Sequence, residues 1–369
     1  MSRDLLPPAP SRRPERPCDA RPVARGAADN PANRFETLTC IPDASVPGAD
    51  EEAARPLRTT FYRDPARSLL SHNESPDVGF DTALNPYRGC EHGCIYCYAR
   101  PSHEYLGFSA GLDFESRVLV KEDAPELLRK ALSSRRWAPR VVAVGSVTDP
   151  YQPVERRLRL TRRCLEVFAE FRNPVAIVTK SALVTRDTDL LAELARDDAA
   201  CVEISITTLD DTLHRAMEPR AAAPRRRLEA ISGLARAGIP VGVMLAPIVP
   251  GLTDCEIPAI VEAAARAGAR SIRHTLLRLP HGVADLFEDW LERHCPERKQ
   301  RILNRIRHIR GGRLDDPRFH SRMRGSGVFA EQIHAMFDLA RRRAGLLGAA
   351  TPLSAEGFRL PPGSQLPLF

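Results

Sequence analysis

Lysine is nearly missing from this chain. Of its 54 basic residues only Lys121, Lys130, Lys180 and Lys299 are lysine, and the rest are arginine. Part of that imbalance is what a GC-rich coding bias would give. The net charge of +7 still suits an anionic partner such as nucleic acid. Long apolar runs are missing too. The longest, residues 241–252, is broken by Pro247, Pro250 and Gly251. It is too short to cross a bilayer, so no membrane is expected as a partner. The opening Met-Ser-Arg-Asp-Leu-Leu-Pro-Pro has no apolar run of signal-peptide length, and the cytoplasm is the expected compartment. Cysteines number nine, an odd count that argues against a disulfide framework. No second Cys-x2-Cys pair accompanies the one at Cys94 and Cys97, which removes the usual ligand set of a structural zinc site.

What is present is a globular composition, 43% hydrophobic and 27% charged, enough to bury a core. Residues 1–60 are rich in Pro, Arg, Ala and Asp without periodicity and read as a disordered arm. From about residue 78, apolar Val/Ile runs alternate with helical patterns. Strands are expected at 80–85, 115–121, 141–144, 174–178, 201–206, 240–245 and 271–277. Helices are expected at 124–133, 159–171, 187–197, 224–237 and 254–267. Continuous apolar strands alternating with helices indicate a parallel sheet covered by helices. About six βα units suit a partial (β/α)6 barrel over residues 61–280. Helices at 283–294, 297–309 and 328–345 form a helical C-terminal extension over 281–346. Residues 347–369 read as a flexible tail.

The informative segment is Asn85-Pro-Tyr-Arg-Gly-Cys90-Glu-His-Gly-Cys94-Ile-Tyr-Cys97-Tyr-Ala-Arg. Its Cys-x3-Cys-x2-Cys spacing places three thiolates on one short loop. They can hold three irons of a [4Fe–4S] cubane and leave the fourth open. His92 is the one candidate for a fourth zinc ligand, and it sits between two cysteines on a tight turn.

This spacing, with Tyr96 just before the last cysteine and a strand before the loop, resembles the radical S-adenosylmethionine (SAM) superfamily. The resemblance spans about residues 80–280. It implies that Cys90, Cys94 and Cys97 bind a [4Fe–4S] cluster whose open iron chelates SAM. It implies further that reductive cleavage yields a 5′-deoxyadenosyl radical, which takes a hydrogen from substrate. An electron donor of low potential is then a required partner. Residues 85–100, the segment Gly145-Ser-Val-Thr-Asp-Pro-Tyr-Gln-Pro153 and Val178-Thr-Lys-Ser181 are similar to the group related to spore photoproduct lyase, often labelled DNA repair photolyases.

Ser146, Thr148 and Asp149 follow the second barrel strand, where many of these enzymes carry a Gly-Gly-Glu-like segment for the SAM amino group. Hydroxyls and a carboxylate there suit a site at the top of a barrel, and equally a turn cluster, because Asp-Pro is a turn signal. Lys180 ends the third strand, and the resemblance implies that it contacts SAM. Glu203, Ser205 and Thr207 alternate onto one face of the fourth strand. Ser205 is a candidate for SAM or substrate, and Glu203 for that or for a paired structural acid. Tyr96 is expected near the adenine, with Tyr98 and Tyr151 as weaker candidates. His274 and the segment 311–325, where arginines flank Phe319 and His320, are open between contacts to phosphates and bases and an ordinary solvated face.

No cysteine lies between Cys97 and Cys164, and Ser146 stands where spore photoproduct lyase has the cysteine that returns a hydrogen. A hydroxyl cannot supply that hydrogen atom, so a different lesion or substrate is expected, and no catalytic residue is assigned. The end of the chain, Gln365-Leu-Pro-Leu-Phe369, resembles the peptide by which bacterial replication and repair proteins dock on the sliding clamp. Leu366, Leu368 and Phe369 would fill apolar pockets. The expectation is a radical SAM enzyme, lyase-like, acting on DNA in repair. The alternatives are radical SAM modification of RNA or protein, or a non-catalytic iron–sulfur redox sensor that binds nucleic acid.

Overall fold

The computed structural model describes residues 24–36, 57–348 and 352–361. Among the described residues, ten strands fall into two sheets. The large sheet contains β2 (Leu70–His72), β3 (Thr82–Leu84), β6 (Val142–Val144), β7 (Val175–Thr179), β8 (Ala200–Ser205), β9 (Val241–Ile248) and β10 (Ser271–Leu276) in the order β10-β9-β8-β7-β6-β3-β2. Its six strands β3 and β6 to β10 run parallel, and β2 is antiparallel to β3. This is the expected partial barrel with helices at its C-terminal end.

Alternation places Val175 and Ile177 of β7, Val202 and Ile204 of β8, and Val241, Val243 and Leu245 of β9 on the outer face. There they are buried beneath the helices Leu160–Phe171, Thr188–Ala195, Pro224–Arg236 and Ile257–Arg266. The opposite face of β8 carries Glu203 and Ser205 into the lumen, both buried. A glycine is needed beside them. A Cβ at Gly242 would lie 2.6 Å from the Glu203 carboxylate oxygens.

The strand expected at 115–121 is shorter and belongs elsewhere. Glu115 and Ser116 complete a short helix, Leu112–Ser116, and β5 (Arg117–Val120) pairs with β1 (Thr60–Arg63) and β4 (Tyr87–Arg88) in a separate three-stranded sheet. That sheet grips the cysteine loop from outside the barrel. Helices Val283–His294 and Pro296–Ile309 bury Phe287, Trp290, Ile302 and Ile306 in a second core shared with Ile95 and Tyr96 of the loop. Helix Val328–Arg343 packs instead against the main core through Ile333 and Phe337.

Two segments expected to be unstructured are partly docked. Residues 24–36 of the arm bond to the loop support: Gly26 N–H and Ala27 N–H each donate to the Glu115 carboxylate at 2.9 Å. In the tail, Ser354 N–H donates to the Asp198 carbonyl at 2.9 Å, and Phe358 sits 6.2 Å from Phe171. Low hydrophobicity misled the reading in both places, because backbone hydrogen bonds and single apolar contacts, Ala27 in the second core and Phe358 against the main one, fix these stretches. Gln365-Leu-Pro-Leu-Phe369 lies outside the described residues.

Candidate active site at the cysteine loop

The cysteine loop sits at the C-terminal end of the parallel strands. Cys90 N–H donates to the Phe114 carbonyl at 2.9 Å, Ile95 N–H to Met217 at 3.0 Å and Cys97 N–H to Cys94 at 3.2 Å. Gly93 turns the chain with φ +67°, and a Cβ there would meet the Glu115 carboxylate at 2.6 Å. Beneath the loop the fully buried Arg100 donates to the carbonyls of Cys94 (3.0 Å), Ala110 (3.1 Å) and Gly111 (2.9 Å) and to Glu115 (2.5 Å). On the other side, Glu91 accepts from Val154 N–H at 2.8 Å and pairs with Arg220 at 2.9 Å.

Burial pushes all three thiols up, and the Asp149 carboxylate pushes Cys90 further. They are mutually close free thiols. Among the described residues, no three His, Cys, Asp or Glu side chains converge as ligands of a single ion. His92 turns away to Asp149, at 3.3 Å. This donor set, neutral when empty and one thiol per site, suits a polynuclear cluster whose irons supply the charge that deprotonates each cysteine.

Facing the loop lies a polar floor. Lys180 Nζ donates to Ser205 Oγ at 2.8 Å, Thr207 Oγ1 at 3.1 Å and the Ala246 carbonyl at 3.1 Å, and pairs with Glu218 at 3.1 Å. It also lies 5.6 Å from the centre of the Tyr96 ring. Glu218 accepts from Thr207 Oγ1 at 2.7 Å, from the Tyr96 hydroxyl and from Arg227. Burial alone would raise the Glu218 carboxyl, but Arg227 and Lys180 override it and hold it well below the usual range. Arg227 spends its other donors on the carbonyls of Ala222 (2.7 Å) and Ser205 (2.8 Å). Local sequence aims Glu218 inward. Asp210 caps the helix Asp211–Met217, accepting from Thr212 N–H at 2.7 Å, and Pro219 disfavours helix at the residue before it.

The sequence model of the Radical SAM superfamily matches residues 84–264, which span this loop, the last residue of β3 and the parallel strands β6 to β9. The chain belongs to the radical SAM superfamily. An uncharacterized protein of Mycobacterium tuberculosis is 36% identical over 255 residues, 68% of this chain and 73% of that one. A radical SAM Nα-GlyT isomerase of Pseudomonas phage M6 is 26% identical over 271 residues, 72% of this chain and 52% of that one. Among solved structures, a spore photoproduct lyase variant superposes with a TM-score of 0.56 at 16% identity, over 83% of this chain and 86% of that one. A second variant, with dinucleoside spore photoproduct, gives 0.50 at 16% over 70% and 72%. The fold is shared with these structures. This radical SAM protein is accordingly an enzyme whose chemistry draws on SAM and an iron–sulfur cluster.

The radical SAM barrel distributes the residues singled out in the sequence unequally. Cys90, Cys94, Cys97, Tyr96, Lys180 and Ser205 converge. Asp149 braces them, accepting from Thr179 Oγ1 (2.7 Å), Lys180 N–H (2.6 Å) and Tyr151 N–H (2.9 Å). Burial would raise its carboxyl, and His92 with these donors keeps it low. Thr148 Oγ1 is spent on the Tyr87 carbonyl at 2.9 Å, while Ser146 Oγ accepts from Asn85 at 3.1 Å near the rim. Lys180 is not a free point charge. Its donors are already used within the floor.

Glu203 is the paired acid, bonded to Arg273 at 2.8 Å. Tyr151 is buried, whereas Tyr98 is half exposed at the lumen mouth. His274 points outward, 2.7 Å from His334 and with its ring centre 4.1 Å from that of Phe337, away from the site. In the 311–325 segment Arg318 pairs with Asp316 at 2.9 Å, and Arg322 pairs with Asp77. The latter contact bridges the open side of the sheet between β10 and β2. Glu218, Arg227 and His214 escaped the sequence reading. His214 and Glu218 come from a short helix and its end, marked only by the Asp210 cap and Pro219, whereas Arg227 sits on the expected helix Pro224–Arg236, where an arginine reads as solvent-facing.

Proposed function

We propose that this enzyme acts on nucleic acid, with a damaged or modified DNA base as substrate. The cluster of three free thiols above a hydrogen-bonded polar floor carries the radical part of the reading, with Cys90, Cys94 and Cys97 as ligands of a [4Fe–4S] cluster. When bound there, the cluster and SAM supply reductive homolysis and a primary carbon radical. The protein's own groups do the rest. Tyr96 offers a ring face beside the floor for the adenine, Ser205 and Thr207 offer hydroxyls, and the second core seals one flank from water. The Lys180–Glu218–Arg227 network keeps the floor rigid and leaves it one positive charge in excess.

The DNA part is supported by the net charge of +7 and by arginines at the mouth beside the exposed Phe319. Among the proteins of similar fold, the lyase structure holding a dinucleoside photoproduct points the same way. Repair with a cysteine returning the hydrogen at the second barrel strand does not carry over, because Ser146 stands there. Docking on a sliding clamp through Gln365, Leu366, Leu368 and Phe369 belongs to the same reading. A peptide of residues 355–369 is expected to bind a bacterial clamp in fluorescence anisotropy.

The decisive test is anaerobic turnover of the reconstituted enzyme with dithionite and SAM, assayed for 5′-deoxyadenosine. Stimulation by ultraviolet-irradiated DNA over intact DNA is expected. Cleavage indifferent to any DNA would move the substrate to RNA or protein.

A further inference from the structure

The partial barrel is open along the side between β10 and β2, and Arg278 stands in that opening with no carboxylate paired to it among the described residues. Arg278 lies just past the C-terminal end of β10. Its guanidinium reaches across to the ring of Tyr98, 5.6 Å from the centroid, and Tyr98 directly follows the cluster ligand Cys97. The Tyr98 hydroxyl in turn bonds the Ser146 carbonyl at the rim of β6. Arg278 Nε is buried and has no hydrogen-bond partner among the described residues, and Nη1 has only the Met323 sulfur at 3.7 Å. Asp315 lies near enough to feel its charge but keeps its own Oδ1 unbonded.

The surroundings add positive charge. Arg310 and Arg322 both bear on Arg278 electrostatically. Arg322 is held by Asp77, and Arg310 donates to the carbonyls of Leu276 (3.2 Å) and Leu277 (2.5 Å). Arginines elsewhere in the lumen are treated differently, since Arg227 and Arg273 each have a glutamate. A half-buried guanidinium with a donor left over is destabilising on its own and becomes favourable when an anion arrives. The open half of Tyr98 offers an aromatic surface next to that anion. Phosphate oxygens beside a base match this pair of groups better than an isolated carboxylate does.

We infer that Arg278 is the phosphodiester anchor of the substrate strand, holding the backbone at the lumen mouth so that one nucleotide hangs toward the cluster beside Tyr98. This rests on the nucleic-acid reading above. The anchor is a binding contact and takes no part in bond breaking.

The test uses the full-length reconstituted protein under anaerobic conditions and a short single-stranded DNA in fluorescence anisotropy across a salt series. Arg278→Gln is expected to bind about tenfold more weakly and to lower the slope of log affinity against log salt by about one. Arg278→Lys, which keeps the charge, is expected to retain the slope. Replacing single phosphates of the DNA by neutral methylphosphonates is expected to reveal one position that weakens the parent equally and adds no further loss to Arg278→Gln. A parent-like slope in Arg278→Gln, or loss of SAM affinity without loss of DNA affinity, would overturn the anchor and leave the nucleic-acid reading standing. A parent protein that binds no DNA even at low salt would sink both.

Discussion

Glu218 and Glu203 are two buried carboxylates of one lumen, and the protein treats them in opposite ways. Glu218 lies between two sequestered cations, Lys180 and Arg227, with hydroxyl donors from Tyr96 and Thr207, and its carboxyl is held well below the usual range. Glu203 has one partner, the half-exposed Arg273, and one oxygen with no hydrogen bond. Its carboxyl is pushed up by burial, which Arg273 only partly offsets. Burial alone therefore does not set the charge of a lumen acid. The number of buried donors does. The floor beneath the cysteine loop is a satisfied network fixed before any ligand arrives, whereas the wall deeper in the sheet keeps unspent polarity.

Removing Glu218 should break this contrast most strongly. Glu218→Ala leaves Arg227 and Lys180 buried without their counter-charge and should cost about 3–5 kcal/mol in denaturant unfolding. A midpoint equal to the parent's would show that both cations find other partners. Gly242→Ala attacks the other acid through packing. Its methyl would stand 2.6 Å from the Glu203 carboxylate, so a loss of about 1–3 kcal/mol is expected in the same assay.

Titration sharpens the comparison, because the two acids have opposite signs. Glu218 has a depressed folded pKa. Its stabilising contribution is present above the ordinary value of 4.5 and is lost as pH falls toward the folded value. Glu218→Gln should therefore flatten the fall in thermal midpoint below about pH 5. Glu203 has a raised folded pKa. Its contribution is present below 4.5 and is lost as pH rises through the folded value. Glu203→Gln should thus match the parent within about 0.5 kcal/mol at pH 4 and gain on it as pH climbs. Identical pH profiles for the two glutamine variants would dissolve the distinction.

The smallest stability effect belongs to the mouth. Arg278→Gln removes a group with no carboxylate partner and should shift unfolding by less than about 0.5 kcal/mol. A large loss there would mark a structural role in place of an anchor.

Much of this architecture was legible in the chain. The Val/Ile runs at 141–144, 174–178, 201–206, 240–245 and 271–277 became β6 to β10 because parallel strands must be apolar where helices cover them. The cysteine spacing marked the loop, and the alternation of Glu203, Ser205 and Thr207 placed all three on one face. Reading failed where partners come from far along the chain. The arm at residues 24–36 carries no apolar pattern, yet Gly26 and Ala27 bind Glu115, almost ninety residues away. Lys180 read as a contact to SAM, and its pairing with Glu218, thirty-eight positions on, has no local sign in the chain. His274 stayed open between a nucleic-acid contact and a solvated face, and its side chain points outward to His334.

By itself the sequence determined the parallel sheet, the thiol loop and the family, since periodicity, residue type and spacing are local quantities that survive without coordinates. Only the tertiary structure decided which charges are spent and which remain. It paired Lys180 with Glu218, joined Arg322 to Asp77 across the open side of the barrel and left Arg278 without a carboxylate. The state of a buried charge depends on the few groups within a few ångströms of it, and the fold alone brings those groups together.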